Sequence, residues 1–160
     1  MTDNVTIRRA DDNDIPGILK LLIQVDMVHH NGRPDLFKGP ATKYNGEELS
    51  HILKDDDRPV FVCVDEEGNV LGHAFCIHKQ FKDDNVLTDI KTLYIDDICV
   101  DEKVRGKQVG RKLYERVVEY ARKMDYYNIT LNVWSLNENA MKFYEAMGLK
   151  PQKVGMELLL

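Results

Sequence analysis

Apolar and polar positions along the chain repeat with two different periods, and the switches between them mark out elements. Val5 to Ala10 alternates and predicts a first strand. Asp11 to Asp14 offers several N-cap residues, and Pro16 suits a first helical turn. Ile15, Ile18, Leu19, Leu22 and Val25 then recur at helical spacing, which predicts an amphipathic helix running to about His30. Asn31 to Asp35 reads as a turn, and Leu36 to Asn45 as a loop broken again at Gly39 and Pro40. Glu47 to Leu53 is a short second helix. Pro59 to Val64 and Val70 to His78 are strands joined across the turn Asp65 to Asn69. Phe81 to Val86 is a polar connection, and Thr88 to Val100 predicts a long fourth strand. Val109, Leu113, Val117, Val118, Ala121 and Met124 mark a helix from about Gln108 to Met124. Tyr127 to Trp134 predicts a fifth strand, and Asn137 to Met147 a helix stopped by Gly148. Val154 to Leu160 alternates again and predicts a last strand.

Strands alternating with helices in this order imply a mixed sheet covered on both faces, a three-layer α/β/α sandwich. With 160 residues and no repeat or linker, residues 1–160 are expected to form a single domain. Composition narrows the function. The net charge of −5 argues against a nucleic-acid partner, which would need a basic face, and suits a cationic substrate. No apolar run is long enough for a membrane span, and the N-terminus has no signal-peptide core, so a cytoplasmic protein is expected. Cys63, Cys76 and Cys99 lack paired spacing and sit in strand-like runs, reading as small buried hydrophobes in a reducing compartment. The histidines show no metal-ligand spacing, so no metal is expected. His29, His30, Asp26 and the Arg33-Pro34-Asp35 turn read first as surface polar residues, with a place at a substrate entrance as the alternative.

The chemistry concentrates between Tyr94 and Met124. A β-leaning run carrying Asp96 and Asp97 feeds the basic turn Arg105-Gly106-Lys107-Gln108-Val109-Gly110 and then a long helix. The first N–H groups of a helix lack internal acceptors, and the helix dipole is positive there, so such a junction can hold a phosphorylated ligand. Neither the P-loop pattern nor the dinucleotide fingerprint is present. Adjacent residues on a strand face opposite ways, so Asp96 and Asp97 are expected on opposite faces and not as a working pair.

The segment 105–110 resembles the acetyl-CoA loop of the GNAT family, the Gcn5-related N-acetyltransferases, with Gln108 where the family has its first glycine. Asn137, Ala140, Phe143-Tyr144 and Gly148-Leu149 resemble the family's second signature, roughly thirty residues downstream. YIDDICV followed by VRGKQVG is most similar to spermidine/spermine-type members. The resemblance implies a mixed, mostly antiparallel sheet splayed between its fourth and fifth strands. It also implies acetyl-CoA as cosubstrate, a small-molecule amine as acceptor and a homodimer.

On this resemblance Tyr144 is the general acid. A phenol, with a pKa of about 10 against about 8.5 for a thiol, is neutral at pH 7 and can protonate the leaving thiolate. Asp96 stands at the position of the acidic general base, and Asp97 where an ammonium is held. Ile98, Cys99 and Val100 would offer backbone groups to the pantetheine, and Gly106 to Arg111 would cradle the pyrophosphate, with Arg105 and Lys107 assisting. Asn137, an N-cap candidate seven positions before Tyr144 and on the same helix face, would bond the pantetheine. The expected reaction is direct acetyl transfer to a primary amine, a polyamine-like one first. The alternatives are transfer to protein amino groups and a non-catalytic CoA-binding sensor or subunit.

Overall fold

The computed structural model describes residues 4–104 and 108–160. In chain order it contains β1 (Thr6–Arg9), α1 (Ile15–Gly32), α2 (Gly46–Leu53), β2 (Val60–Val64), β3 (Val70–Lys79), β4 (Thr92–Val100), α3 (Val109–Lys123), β5 (Asn128–Leu131) and α4 (Glu138–Ala146). The five strands form one sheet in the order β1-β2-β3-β4-β5. Neighbours from β1 to β4 are antiparallel, and β4 and β5 are parallel.

Helix starts follow local chemistry. The Asp11 side chain accepts from the backbone of Asn13 and Asp14, while Asp14 returns a bond to the Asp11 N–H. Arg8 then clamps the buried Asp14 carboxylate with two bonds of 2.8 and 2.9 Å, fixing β1 against the start of α1. Asn45 and Glu48 make the same reciprocal cap at α2.

Two apolar layers sandwich the sheet. Ile18 and Leu22 of α1 and Leu49 and Ile52 of α2 pack on Val60, Val62, Val64 and Phe75. Val109, Leu113, Val117 and Ala121 of α3 pack on Phe61, Cys63, Ala74, Cys76, Leu93 and Ile95. Every residue of β2 is buried because the strand is covered on both faces. At Gly72 α3 packs directly on the sheet. A Cβ there would stand 2.9 Å from both Val109 and Leu113 and 3.0 Å from the Cys99 carbonyl, so only glycine lets the helix start settle on β3.

Three strand expectations are corrected. β4 begins at Thr92 and not Thr88, because the connection before it is spent on a polar turn in which Asp84 accepts from Val86 and Leu87 N–H at 2.8 and 2.6 Å. β5 is confined to Asn128–Leu131, matching the four β4 residues that pair with it. Residues 154–160 form no strand, since no described strand pairs with them and strand backbone needs a partner.

Candidate active site at the open half of β4

β4 and β5 pair only from Thr92–Asn128 to Ile95–Leu131. β4 continues to Val100, so residues 96–100 have β3 on one side and no strand on the other. The sheet therefore splays where the resemblance places it. The start of α3 and the middle of α4 meet this opening. A Cβ on Gly110 would lie 3.3 Å from Val100 and 3.6 Å from the Phe143 ring, so all three elements converge there.

The two aspartates sit on a bulge. Phe75 pairs with Asp97 and Cys76 with Ile95, which leaves Asp96 as the extra residue. The expected opposite orientation is thereby overturned. Asp96 accepts from Tyr44, whose ring lies against Phe75, and Asp97 lies beside His73, which packs edge-on to the same Phe75. Both carboxylates occupy the face covered by α1 and α2, because an inserted residue breaks the strand's alternation.

Their environments differ. Asp96 has a donor on each oxygen: Lys43 Nζ donates to it at 2.7 Å and Tyr44 Oη at 3.0 Å, and Arg58 donates to that same hydroxyl at 2.8 Å. Burial pulls the Lys43 ammonium down, but its bond to Asp96 and that group's charge outweigh this and raise it. Asp97 has no such partner. Its Oδ2 is buried without a hydrogen bond among the described residues, 3.9 Å from His73 Nδ1. Burial, and secondarily the charge of Asp96, push the Asp97 carboxyl up to about 7, with Lys43 offsetting part of the rise. His73 is wholly buried, and that burial drops its imidazole to about 3, so it is neutral and forms no ion pair with Asp97.

Tyr144 lies on α4 with Phe143 edge-on at 5.1 Å. Burial first, and then the charge of Asp97, drive its phenol well above the ordinary value, with smaller contributions from Cys99 and Tyr114. That influence puts Tyr144 in electrostatic reach of Asp97, at the splay. Asn137 caps α4 by accepting from Ala140 N–H at 3.2 Å. Cys99 Sγ donates to the Leu21 carbonyl at 3.4 Å, turned into the protein, while Val100 packs towards Gly110. Burial raises the Cys63 and Cys76 thiols to about 11 and about 12, which removes them as nucleophiles at neutral pH.

At the head of α3, Gln108 has φ 60° and ψ 24°, a left-handed conformation that glycine adopts without strain. Its side chain does not cap the helix, and among the described residues no acceptor meets the N–H groups of Val109, Gly110 and Arg111 in the first turn. Arg111 bonds Glu115 one turn along at 3.0 Å. Arg105, Gly106 and Lys107 lie outside the described residues. Among the described residues no group of His, Cys, Asp and Glu could hold a metal ion, and no helix is long and apolar enough to cross a membrane.

The entrance candidates do other work. Asp26 accepts from Ala41 N–H, His30 donates to the Phe37 carbonyl, and His29 stacks on Phe37 beside Trp134. Sequence reasoning missed Lys43, Tyr44, Arg58 and His73. His73 carries a usable signal, a polar residue sharing a strand face with Phe75. The other three come from loops and carry none.

The sequence and fold match known proteins. Residues 27–149 match the model of the Acetyltransferase (GNAT) family. An uncharacterized N-acetyltransferase of Methanocaldococcus jannaschii is 26% identical over 152 residues, which is 93% of this chain and 62% of that protein. Glucosamine 6-phosphate N-acetyltransferase of Arabidopsis thaliana is 32% identical over 66 residues, 41% of this chain and 42% of that one. The chain thus matches less than two thirds of the length of these relatives. Among solved structures, a tetramutant of the BH1408 protein from Bacillus halodurans superposes with a TM-score of 0.91 at 31% identity, covering 97% of this chain and 99% of that one. An aminoglycoside N-acetyltransferase in complex with CoA shares the fold, with a TM-score of 0.72 at 13% identity, covering 100% of this chain and 97% of that one. With most of its length matched by the family model, this chain belongs to the GNAT acetyltransferase family.

Proposed function

We propose that the protein is an acetyl-CoA-dependent N-acetyltransferase that acylates a primary amine on a small molecule, with residues 1–160 acting as one domain. The observation that carries this reading is the meeting of Asp97, Tyr144 and the head of α3 at the open half of β4. Acetyl-CoA, when bound, supplies the activated acyl group. The stretch of β4 from Ile98 to Val100, which among the described residues faces no strand on the side away from β3, and the head of α3 suit its pantetheine and pyrophosphate, with Arg105, Gly106 and Lys107 completing the loop. Asn137, already the cap of α4, stands two helical turns before Tyr144, which supports a bond from it to the pantetheine.

The two aspartates divide the remaining work. Asp96 is the base expected by resemblance, but Lys43 and Tyr44 already use its oxygens. This supports Asp97 as the group that takes the amine proton, since a carboxyl near 7 is a far better base than one near its ordinary value. Asp96 then acts as the neighbouring charge that keeps Asp97 basic. Once Asp97 takes a proton its charge is gone, and with it part of what holds the Tyr144 proton in place. Proton uptake at Asp97 therefore makes Tyr144 a better acid as the thiolate departs.

A polyamine-like acceptor remains the first choice, on the net charge of −5 and the acidic pair. Lys43 neutralises one carboxylate, which favours an acceptor presenting a single ammonium to the site. A cytoplasmic homodimer completes the reading. The test is thiol release from acetyl-CoA against polyamines, other diamines, amino sugars, aminoglycosides, amino acids and peptides. Release with small amines supports the proposal. Release with peptides alone moves the acceptor to protein amino groups. Acetyl-CoA binding without release from any acceptor favours a binding-only role. Tyr144→Phe is expected to keep acetyl-CoA binding and lose about two or more powers of ten in kcat, and unchanged turnover would remove the acid role.

A further inference from the structure

β3 places a polar ring in an apolar layer. Ala74 and Cys76 face α3, so the alternation of the strand turns His73 and Phe75 towards α1 and α2. Those two helices bring Ile18, Leu22, Leu49 and Ile52 to that layer. His73 is wholly buried, between Val62 of β2 and Cys99 of β4, and its ring is held edge-on to Phe75 at 4.9 Å. A leucine or phenylalanine would fill the place without desolvating two ring nitrogens. Among the described residues four buried side-chain N or O atoms lack a hydrogen bond: Arg58 Nε, His73 Nδ1, His73 Nε2 and Asp97 Oδ2. Three of the four thus belong to one pair of neighbours. His73 Nδ1 and Asp97 Oδ2 stand 3.9 Å apart, a contact that falls short of the roughly 3 Å of a hydrogen bond.

The two groups match without any buried charge in one protonation state. His73 is neutral, so one ring nitrogen carries a proton and the other a lone pair. An ionised carboxylate only accepts, whereas the acid form gains an O–H donor. Burial disfavours the ion at Asp97 and so favours that form. The other polar groups around the pair are engaged elsewhere or come from another side. Asp96 holds Lys43 and Tyr44, Arg58 holds Tyr44, and Tyr144 reaches Asp97 from α4. Among the described residues none of them bonds Oδ2. The Asp97 side chain keeps 19% exposure while its Oδ2 is buried, so one group spans from solvent to the imidazole. The ring is fixed by its packing on Phe75, so a small turn of the carboxyl is what closes the gap.

We infer that His73 is the positioning residue of Asp97: its Nδ1 accepts the Oδ2–H of the carboxyl once Asp97 has taken the acceptor's proton, and so holds that proton on the core side of the site. No proton passes to the imidazole, whose own N–H stays on Nε2. The inference rests on Asp97 as the base, and its test keeps the two apart. In the unaltered protein, side-chain nitrogen NMR is expected to show the Nε2–H tautomer, with the Nδ1 resonance moving as Asp97 titrates. An Nδ1–H tautomer, or an Nδ1 resonance indifferent to Asp97, would overturn the inference. His73→Phe keeps a ring and removes the acceptor. Its Asp97 carboxyl should bind a proton about three- to tenfold more weakly, so the rising limb of kcat/KM moves to lower pH and the plateau falls. His73→Asn, which can present an amide oxygen near the Nδ1 position, should recover most of the shift. A limb that stays put in both variants while the plateau falls would leave His73 a packing residue, and a limb that moves to higher pH would mean that the imidazole donates to the carboxylate; either overturns the inference. Undiminished turnover in Asp97→Asn would overturn the base and the inference together. A slow Asp97→Asn beside an unmoved limb in His73→Phe would overturn the inference alone.

Discussion

Residues 92–95 of β4 have a strand on each side and bury Leu93 and Ile95 under α3. Residues 96–100 have a strand on one side only and hold two carboxylates on a bulge. The first half satisfies its backbone and excludes water. The second faces no strand on one side and, among the described residues, leaves the buried Asp97 Oδ2 without a hydrogen bond. One continuous strand thus carries both a part of the core and the candidate site, and the dividing line falls at Ile95.

The comparison breaks first at Asp97. Asp97→Asn is expected to lower kcat/KM by about two to four powers of ten, while acetyl-CoA binding stays within a few-fold. In the wild type, kcat/KM should climb with pH and level off above about 7, as the carboxyl becomes the proton-accepting form. The stability change runs the other way. The folded pKa lies above the unfolded value of about 4, so the folded state loses stability as pH rises from there to about 7. Asp97→Asn should erase that fall in melting temperature, and an Asn variant that melts in parallel with the wild type would show the carboxyl to be ordinary.

The paired half should respond in stability and not in chemistry. Leu93→Ala, at a fully buried position, is expected to cost about 2–5 kcal/mol in denaturant unfolding, with kcat of the folded fraction unchanged. A selective loss of kcat would mean that the two halves are not separable. A smaller effect tests the neighbour of the pair. Lys43→Met removes the cation that lowers Asp97, so the rising limb of the pH profile should move to higher pH. A limb that stays put would separate Lys43 from the base.

The smallest effect is at the head of α3. Gln108→Gly should stabilise the protein by about 1 kcal/mol, since a left-handed backbone costs a side chain about that much. Loss of stability there would mean that the Gln108 side chain does work its contacts do not reveal.

Most of the scaffold was legible because it rests on periodicity. The helices, the β2–β3 hairpin and the burial of Leu113 and Val117 all follow from apolar spacing. The bulge was not legible, because two adjacent aspartates look alike until the register against β3 says which is extra. The difference between their environments was hidden for the same reason: it depends on Lys43 and Tyr44, which a loop brings from far away in sequence. The alternation at 154–160 reads as a strand, yet none forms there, because pairing is a property of two segments and the sequence shows only one.

Gly72 ties the site to the core in a way that constrains how the protein can change. With no side chain between β3 and the first turn of α3, the sheet is the floor on which Val109 rests. A larger residue at 72 would act as a wedge, lifting the helix start and displacing its N–H groups from the open half of β4. On the proposed reading, cofactor affinity and packing volume are therefore geared together at this point, and a change in one will be felt in the other.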